Sequence, residues 1–323
     1  MRFTAYIGGL LGLALLIVLA IRADLGAMVH TLAVAGWQLL WLVPYRGLYF
    51  LLYAIGWLNL LRPYDRERRA GLGYLLWVTS VREAIDRLLP VASVGGGVAG
   101  VRLLRWRGLP IAAVSATVIV EILLTLAVLY LFTALGLFLL FNLHAVGQEY
   151  RRLLYAFLCS LPVPLAAALL LRYGSVFARL QGFLRPLVGE RAMSQGAAAL
   201  DRELRATLSR TSTLLSVGAL QLIAVMAGAL EVWWVLRLCG HPVGISAALI
   251  LESMTQAIRH LAFFVPAGIG VQEAGLVLFG QVLGISGELA LAVSMAKRMR
   301  ELLCGLPPLM SWQWMEARRM RSL

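Results

Sequence analysis

Apolar stretches long enough to cross a bilayer constrain this chain more than any other feature. The longest covers residues 110–141 and contains one charged side chain, Glu121. As a helix rising about 1.5 Å per residue it is ~48 Å long, which exceeds the roughly 30 Å of a hydrocarbon core. Because lipid offers no partners to backbone N–H and C=O groups, we expect such a segment to be helical. We predict six full spans, over residues 3–21, 36–61, 110–141, 152–171, 211–238 and 288–315.

The composition excludes a soluble protein. The 323 residues are 61% hydrophobic and 14% charged, with a mean hydropathy of +0.83, whereas about a quarter of the residues of a soluble domain are charged. The net charge of +13 comes from arginines in short loops. This pattern is typical of the cytoplasmic side of a membrane protein and not of a nucleic-acid-binding surface. We predict a single, all-α, polytopic membrane domain over residues 1–323, without a nucleic-acid partner.

Helix-breaking residues interrupt the apolar sequence twice. They are Pro90, Gly95 and Gly96 in the first place, and Pro266, Gly268 and Gly270 in the second. Backbone that is not helical is tolerated inside a membrane only where it is buried in protein or lines a wet cavity. The two prolines are 176 residues apart. We therefore predict two re-entrant broken-helix hairpins in two related halves, about residues 71–141 and 244–317.

The distribution of arginines sets the predicted topology. Basic clusters flank the first hairpin on both sides, whereas the loop 284–287 after the second hairpin has no basic residue. The first hairpin is thus expected to enter from the cytoplasm and the second from outside, as inverted-topology repeats do in many transporters. Both chain termini are expected in the cytoplasm. The segment 172–210, with seven arginines, is predicted to be cytoplasmic and partly an amphipathic helix.

Ionisable and amide side chains gather around both breaks. Glu252, Gln256 and Arg259 share one helix face at spacings i, i+4 and i+7, and Thr79, Glu83 and Asp86 repeat that spacing. Such residues are costly inside a membrane unless they are paired or functional. They predict either a cavity for a polar lipid headgroup or a polar network that locks helices together. The candidate residues of the cavity are Glu83, Asp86, Glu121, Glu252, Gln256, Arg259, His260, Gln272, Glu273 and Lys297.

The offset of 176 residues also suggests ion pairs between the halves. It places Glu121 opposite Lys297 and Glu83 opposite Arg259. Residues related by a two-fold axis approach each other near that axis, and buried charges require partners. We predict the pairs Glu121–Lys297 and Glu83–Arg259. The alternative is that each charge has a different, local partner.

The sequence contains no catalytic motif and no metal-ligand spacing. The cysteines Cys159, Cys239 and Cys304 are isolated in apolar sequence, so we expect no disulfide, metal or cofactor, and we do not predict an enzyme. Residues 95–100 match the pattern G-x-G-x-x-G, but no βαβ unit surrounds them. These glycines are expected either to offer N–H groups to an anion or to allow close helix packing.

Three motifs resemble a known family. They are Leu-Pro-Val-Ala-Ser-Val-Gly-Gly at 89–96, Arg-Leu-Leu-Arg-Trp-Arg-Gly-Leu-Pro at 102–110, and Phe-Val-Pro-Ala-Gly-Ile-Gly-Val-Gln-Glu-Ala at 264–274. Over about residues 5–317 the chain resembles the membrane-domain family of lysylphosphatidylglycerol synthases, and within it the hopanoid biosynthesis-associated proteins of the HpnL type. The first half departs from the family pattern, because Gly97 and Gly100 occupy positions that are commonly acidic and basic. The site is therefore expected mainly in the second half.

The resemblance implies a lipid flippase of the bacterial inner membrane, because the membrane part of that family is associated with moving lipids between leaflets. The implied partners are membrane lipids, either an anionic phospholipid or a hopanoid, and the resemblance leaves open a homo-oligomer or lipid-biosynthesis enzymes. The family's aminoacyl-transferase activity lies in a separate soluble domain, which we do not expect within these residues. Two alternatives to a flippase stay open: a membrane-embedded transferase acting on a lipid-linked substrate, and a non-catalytic scaffold in lipid biosynthesis.

Overall fold

The structure, a computed structural model, describes residues 33–89, 95–142, 162–173, 190–262, 265 and 268–321. The regular elements in these ranges are all helical, and a 3-10 turn, Gly36–Trp41, leads into the first α-helix. The α-helices are α1 Leu42–Leu61, α2 Leu72–Leu88, α3 Gly95–Trp106, α4 Ile111–Asn142, α5 Pro162–Tyr173, α6 Glu190–Leu208, α7 Thr211–Leu238, α8 Ile245–Leu261, α9 Val271–Val282 and α10 Gly287–Arg321.

Three helical stretches in the described ranges are long and apolar enough to cross a membrane. They are Ala33–Leu61, Ile111–Asn142 and Thr211–Leu238, and they coincide with three of the six predicted spans. The predicted span 3–21 lies outside the described residues, and the span 152–171 lies there in part. The span 288–315 belongs to α10, whose middle is charged. The number of six spans therefore stays a prediction.

Each break begins where the sequence prevents a helix from continuing. Leu89 follows α2 in an extended conformation, with φ −106° and ψ 148°, as expected for the residue before Pro90. At the second break, Gly270 has φ +78°, a conformation that favours glycine. The Gly270 N–H donates to the Glu273 carboxylate at 2.8 Å, and this bond caps the start of α9. Pro90 and Pro266 themselves lie outside the described residues.

The two parts of the chain that contain the breaks have the same order and lengths of helices. α2 and α8 have 17 residues each, α3 and α9 have 12 each, and the long helices α4 and α10 have 32 and 35. Gly71 and Gly244 precede α2 and α8 in extended conformations. Gly108 and Gly284 follow α3 and α9 with φ +78° and +75°. We call residues 71–142 the first segment and residues 244–321 the second segment.

The long helix of each segment packs against the helix that precedes the break in the other segment. α2 packs against α10, α8 packs against α4, and α1 packs against α7. Buried apolar side chains form two main clusters in the described part of the chain. The first draws mainly on α1, α2, α3 and the start of α4, and the second on α7, α8, α9 and the start of α10.

Charged residues lie between these two clusters. On α10, Ala296 belongs to the second cluster and Leu309 to the first, and the charged run 297–301 separates them. On α1, Arg46 lies between Leu42 of the second cluster and Ala54 of the first, and on α4 Glu121 follows Val120 of the first cluster. The fold therefore concentrates ionisable side chains at the junction of two apolar cores.

Arginine-rich helix ends meet at one end of the molecule. Arg102 of α3 pairs with Glu316 of α10. The Arg210 guanidinium, after α6, lies 5.0 Å from the centre of the Tyr64 ring in the loop between α1 and α2. We call this region, residues 62–69, 102–108, 202–210 and 316–321, the arginine-rich end.

The predicted cytoplasmic segment 172–210 contains α6, which packs against α4 and α5. Asp201 and Leu204 are buried, whereas Arg202 and Arg205 are exposed. The helix thus has one buried face and one charged face. Its location on the cytoplasmic side stays a prediction.

Candidate functional site

A cavity of about 260 Å³ lies at the junction of the two apolar clusters. Its wall combines α1, α2, α4, the end of α8 and the second break. The polar and aromatic side chains that line it are Tyr49, Tyr53, Thr79, Arg82, Glu83, Asp86, Arg87, Glu121, Thr125, Arg259 and His260. Most of them come from the first segment and α1.

The wall also has an apolar strip on α4. Ile122, Leu126 and Leu129 line the cavity at spacings i, i+4 and i+7, which places them on one helix face. Ile122 is 46% exposed, and His260 is exposed as well. The cavity therefore reaches the protein surface near these two residues.

Arg82 and Glu121 form a buried ion pair in the cavity wall. Arg82 Nη1 lies 2.8 Å from Glu121 Oε2, and the guanidinium stacks 4.4 Å from the centre of the Trp57 ring. Trp57 Nε1 donates in turn to Thr117 Oγ1 at 3.1 Å. The Glu121 carboxylate and the face of the Trp57 ring thus both contact the Arg82 guanidinium, whose planar shape suits these two partners.

The glycines at the start of α3 make room for the side chains of α2. The Gly96 N–H donates to Asp86 Oδ1 at 2.9 Å. A Cβ atom at Gly96 would lie 2.5 Å from the Arg82 carbonyl oxygen, and one at Gly100 would lie 2.8 Å from Arg82 Cδ. These contacts favour the close-packing role of the glycines, and the Gly96 N–H is already bonded within the protein.

Glu83 connects α1 with α2. Its Oε1 atom accepts from Arg46 Nη2 at 2.6 Å and from Arg87 Nε at 2.9 Å. The Arg46 guanidinium also lies 3.6 Å from the centre of the Tyr49 ring. An arginine inside the apolar helix α1 is thereby directed to the interior and paired, as its cost in a membrane requires.

Glu301 on α10 lies within reach of four arginines. The N–O distances are 3.1 Å to Arg298, 3.5 Å to Arg259, 3.8 Å to Arg87 and 3.9 Å to Arg300. Arg87 belongs to α2 in the first segment, whereas the other three arginines belong to the second. One buried carboxylate therefore joins the two segments.

Two further pairs lie deep in the second segment and α7. Lys297 Nζ lies 2.5 Å from Glu252 Oε2, and these side chains are 4% and 3% exposed. Gln256 donates to the other Glu252 oxygen at 2.9 Å. Arg300 pairs with Glu231 of α7. These pairs bind α10 to α8 and to α7.

Gln272 and Glu273 fix the start of α9. Glu273 Oε1 accepts from Ser294 Oγ at 2.8 Å and from Arg298 Nε at 3.3 Å. Gln272 accepts from Arg259 Nη1 at 2.9 Å and donates to Ser294 Oγ at 3.0 Å. The second break is thus held between α8 and α10 by a chain of hydrogen bonds.

Two buried polar atoms of α2 have no hydrogen-bond partner in the described part of the chain. They are Thr79 Oγ1 and Arg82 Nε, and Thr79 is only 6% exposed. Buried polar atoms are almost always bonded, but these two are closed to solvent and so are not open to the cavity. A Cβ atom at Gly100 would lie 3.2 Å from Arg82 Nε, which places this nitrogen against the start of α3. In the described ranges, no group of three or more His, Cys, Asp or Glu side chains is placed to hold a metal ion.

Residues 6–306 match a family model, the lysylphosphatidylglycerol synthase TM region. The chain belongs to this family. Membership confirms the resemblance that the motifs indicated and relates the protein to lipid biosynthesis or transport in a membrane. The closer likeness to the HpnL type stays a prediction. No curated protein and no solved structure matches the chain.

The structure of this lysylphosphatidylglycerol synthase-type membrane region divides the candidate residues into two groups. Glu83, Asp86, Glu121, Arg259 and His260 line the cavity, as does Gly268 of the second break. The remaining candidates form the buried network beside it, and these are Glu252, Gln256, Gln272, Glu273 and Lys297. Contrary to the expected emphasis on the second half, the first segment supplies most of the polar lining.

The predicted ion pair between Glu121 and Lys297 is wrong. Glu121 pairs with Arg82, and Lys297 pairs with Glu252. In each segment of this family member, this charged residue of the long helix pairs, at direct bonding distance, with a residue of the helix that precedes the break in the same segment. The polarity is reversed, since the broken helix supplies the cation in the first segment and the anion in the second.

The predicted pair between Glu83 and Arg259 is likewise replaced by other partners. Glu83 pairs with Arg46 and Arg87, and Arg259 pairs with Glu301. Sequence reasoning did not assign Arg46, Arg87 and Glu301 to the site. A signal was present, because an arginine in an apolar span and a carboxylate in the last predicted span both require buried partners.

Proposed function

We propose that this protein moves a polar-headed lipid between the leaflets of a bacterial cytoplasmic membrane, with the headgroup in the cavity and the acyl chains in the bilayer. The mixed wall of the cavity carries the proposal. Charged side chains of α2 and α8 line the same space as the apolar strip Ile122, Leu126 and Leu129. A lipid presents the same two chemistries where its headgroup joins its chains.

The size of the cavity supports a headgroup as the occupant. Its volume of about 260 Å³ is close to the lower limit of the roughly 300–1,000 Å³ that small-molecule pockets occupy. Two acyl chains do not fit such a space. A polar group that crosses hydrocarbon without partners loses about 2–7 kcal/mol per group. The hydrogen-bonding side chains of the wall would replace water and lower this barrier.

The exposed lining residues support entry from the side. Ile122 lies on α4 and His260 near the end of α8, and both are at the surface as well as in the cavity. A lipid could place its headgroup between α4 and the second break while its chains stay against the apolar outer surface. Entry from the bilayer needs no passage through water.

The matched segments support a transporter architecture. α4 begins beside the arginine-rich end, whereas α10 finishes there, next to Arg102 of α3. We propose that the two segments are inverted repeats whose relative movement exposes the cavity to one leaflet at a time. By the excess of positive charge, the arginine-rich end faces the cytoplasm, with both termini on that side.

A leaflet-exchange assay in proteoliposomes tests the proposal. Fluorescent lipids in the outer leaflet are bleached by a reductant that does not cross the membrane. Thr125→Phe places a ring in the cavity, and among the described residues the native Thr125 hydroxyl donates only to the Glu121 carbonyl of its own helix, at 2.9 Å. We expect it to slow exchange at least about tenfold.

Ala127→Phe is the matched control. It adds the same ring to the same helix, and Ala127 is exposed and lies outside the cavity lining. We expect wild-type exchange from it. Equal exchange by folded Thr125→Phe and wild-type proteins contradicts the proposed route. If wild type moves no lipid, mass spectrometry of the incubated lipids distinguishes a transferase, which changes lipid mass, from a scaffold, which does not.

A further inference from the structure

The charges that line the cavity cancel. Three cations and three carboxylates face it, namely Arg82, Arg87, Arg259, Glu83, Asp86 and Glu121. His260 is counted as neutral at pH 7. Neither break adds an ionisable side chain, because residues 90–94 and 263–267 contain none.

The charges behind this wall cancel as well. Two of the buried pairs are neutral by themselves, Lys297–Glu252 and Arg300–Glu231. The other charged residues of this network are two arginines, Arg46 and Arg298, and two carboxylates, Glu273 and Glu301. The side chains of the cavity and of the network beside it thus carry no net formal charge.

Electroneutrality restricts the headgroups that such a site accepts. In a region screened from water, an added net charge has no counterion, and an uncompensated buried charge is strongly unfavourable. A headgroup that carries one positive and one negative charge leaves the balance intact. It also matches a wall that contains both signs.

Two side chains of α2 fit the two charges of such a headgroup. The Arg82 side chain lines the cavity and is 13% exposed, and its guanidinium suits the oxygen of a phosphodiester. Asp86 lies one turn further on, about 6 Å along the helix from Arg82. Its one hydrogen bond in the described part comes from the Gly96 N–H, which leaves an oxygen for an ammonium group.

We infer that the cavity selects zwitterionic lipid headgroups of net charge zero, with the phosphodiester beside Arg82 and the ammonium group at Asp86. The inference rests on the proposed function and names its substrate class. Net-anionic and net-cationic headgroups are excluded by the balance of charge in the interior, although the arginine-rich end of the protein is strongly basic.

The experiment compares three lipids that differ only in their headgroups: phosphatidylethanolamine, phosphatidylglycerol and a trimethylammonium lipid. Exchange is measured in proteoliposomes, and binding to the detergent-solubilised full chain is measured separately by native mass spectrometry. We expect phosphatidylethanolamine to exchange and bind at least about tenfold better than the charged lipids. Equal exchange of a charged lipid by wild type overturns the inference and leaves the translocator intact.

Asp86→Asn gives the sharper test. It removes one negative charge, and the Gly96 N–H can still donate to the amide oxygen, so the fold is retained. We expect the preference to shift from phosphatidylethanolamine toward phosphatidylglycerol. Glu67→Gln makes the same change from carboxylate to amide at a side chain that is 71% exposed, and it should leave the selectivity unchanged.

Wild-type selectivity in folded Asp86→Asn overturns the inference. Selective binding that Asp86→Asn abolishes, without exchange of any lipid, supports the zwitterion site and contradicts the translocator.

Discussion

Loss of the Lys297 ammonium group should destabilise the protein strongly, because it leaves a buried carboxylate without a cation. At 2.5 Å from Glu252, the attraction between the two charges is ~7 kcal/mol at an effective dielectric constant of about 20. Desolvation of each ion offsets several kcal/mol of this attraction. Lys297→Met removes the attraction but leaves Glu252 desolvated. We expect a loss of about 3–5 kcal/mol in unfolding free energy.

Thermal unfolding of the purified protein in detergent measures this loss, which corresponds to a fall in Tm of about 10 °C. The double variant Lys297→Met/Glu252→Gln removes both charges and keeps the bond to Gln256, so it should recover to within about 1 kcal/mol of wild type. Arg69→Met is the control, since it breaks an exposed 2.6 Å pair and should cost less than about 1 kcal/mol. A double variant as unstable as Lys297→Met refutes this reasoning.

Two glycine substitutions test the helix contacts by the same unfolding assay. Gly96→Ala should cost about 1–3 kcal/mol, because the new Cβ meets the Asp86 carboxylate. Gly218→Ala, whose Cβ has nothing within 4 Å, should instead add up to about 1 kcal/mol. Gly136→Ala should force α4 away from α8, because its Cβ would lie 2.8 Å from Ser253 Cβ, and Ser253→Gly should restore most of the stability. Wild-type Tm values for Gly96→Ala and Gly136→Ala contradict these contacts.

Helix positions could be predicted from the sequence where local chemistry decides them. The prediction of a span over 211–238 agrees with α7, and the prediction over 110–141 differs from α4 by one residue at each end. Apolar runs flanked by charged or helix-breaking residues leave little choice inside a membrane. The break after α2 was predictable for the same reason, because a proline restricts the residue before it.

Ion-pair partners could not be predicted, because they depend on which helices touch. Lys297 and Glu252 are 45 residues apart, and Arg46 and Glu83 are 37 apart. Ion pairs predicted from the fixed sequence offset between the two halves take no account of the length of each side chain. Thr79 was noted only for its spacing, since a neutral hydroxyl in an apolar helix carries no cost that marks it as part of a cavity.

The position of Glu301 has a consequence for the speed of any movement. Arg87 approaches it from α2, and Arg259 and Arg298 approach it from the second segment. A motion that parts α2 from α10 must draw an arginine away from this carboxylate before water or another charge replaces it. The work of that separation forms an activation barrier. The strength of the contacts that this single carboxylate makes therefore sets how often the two segments can separate.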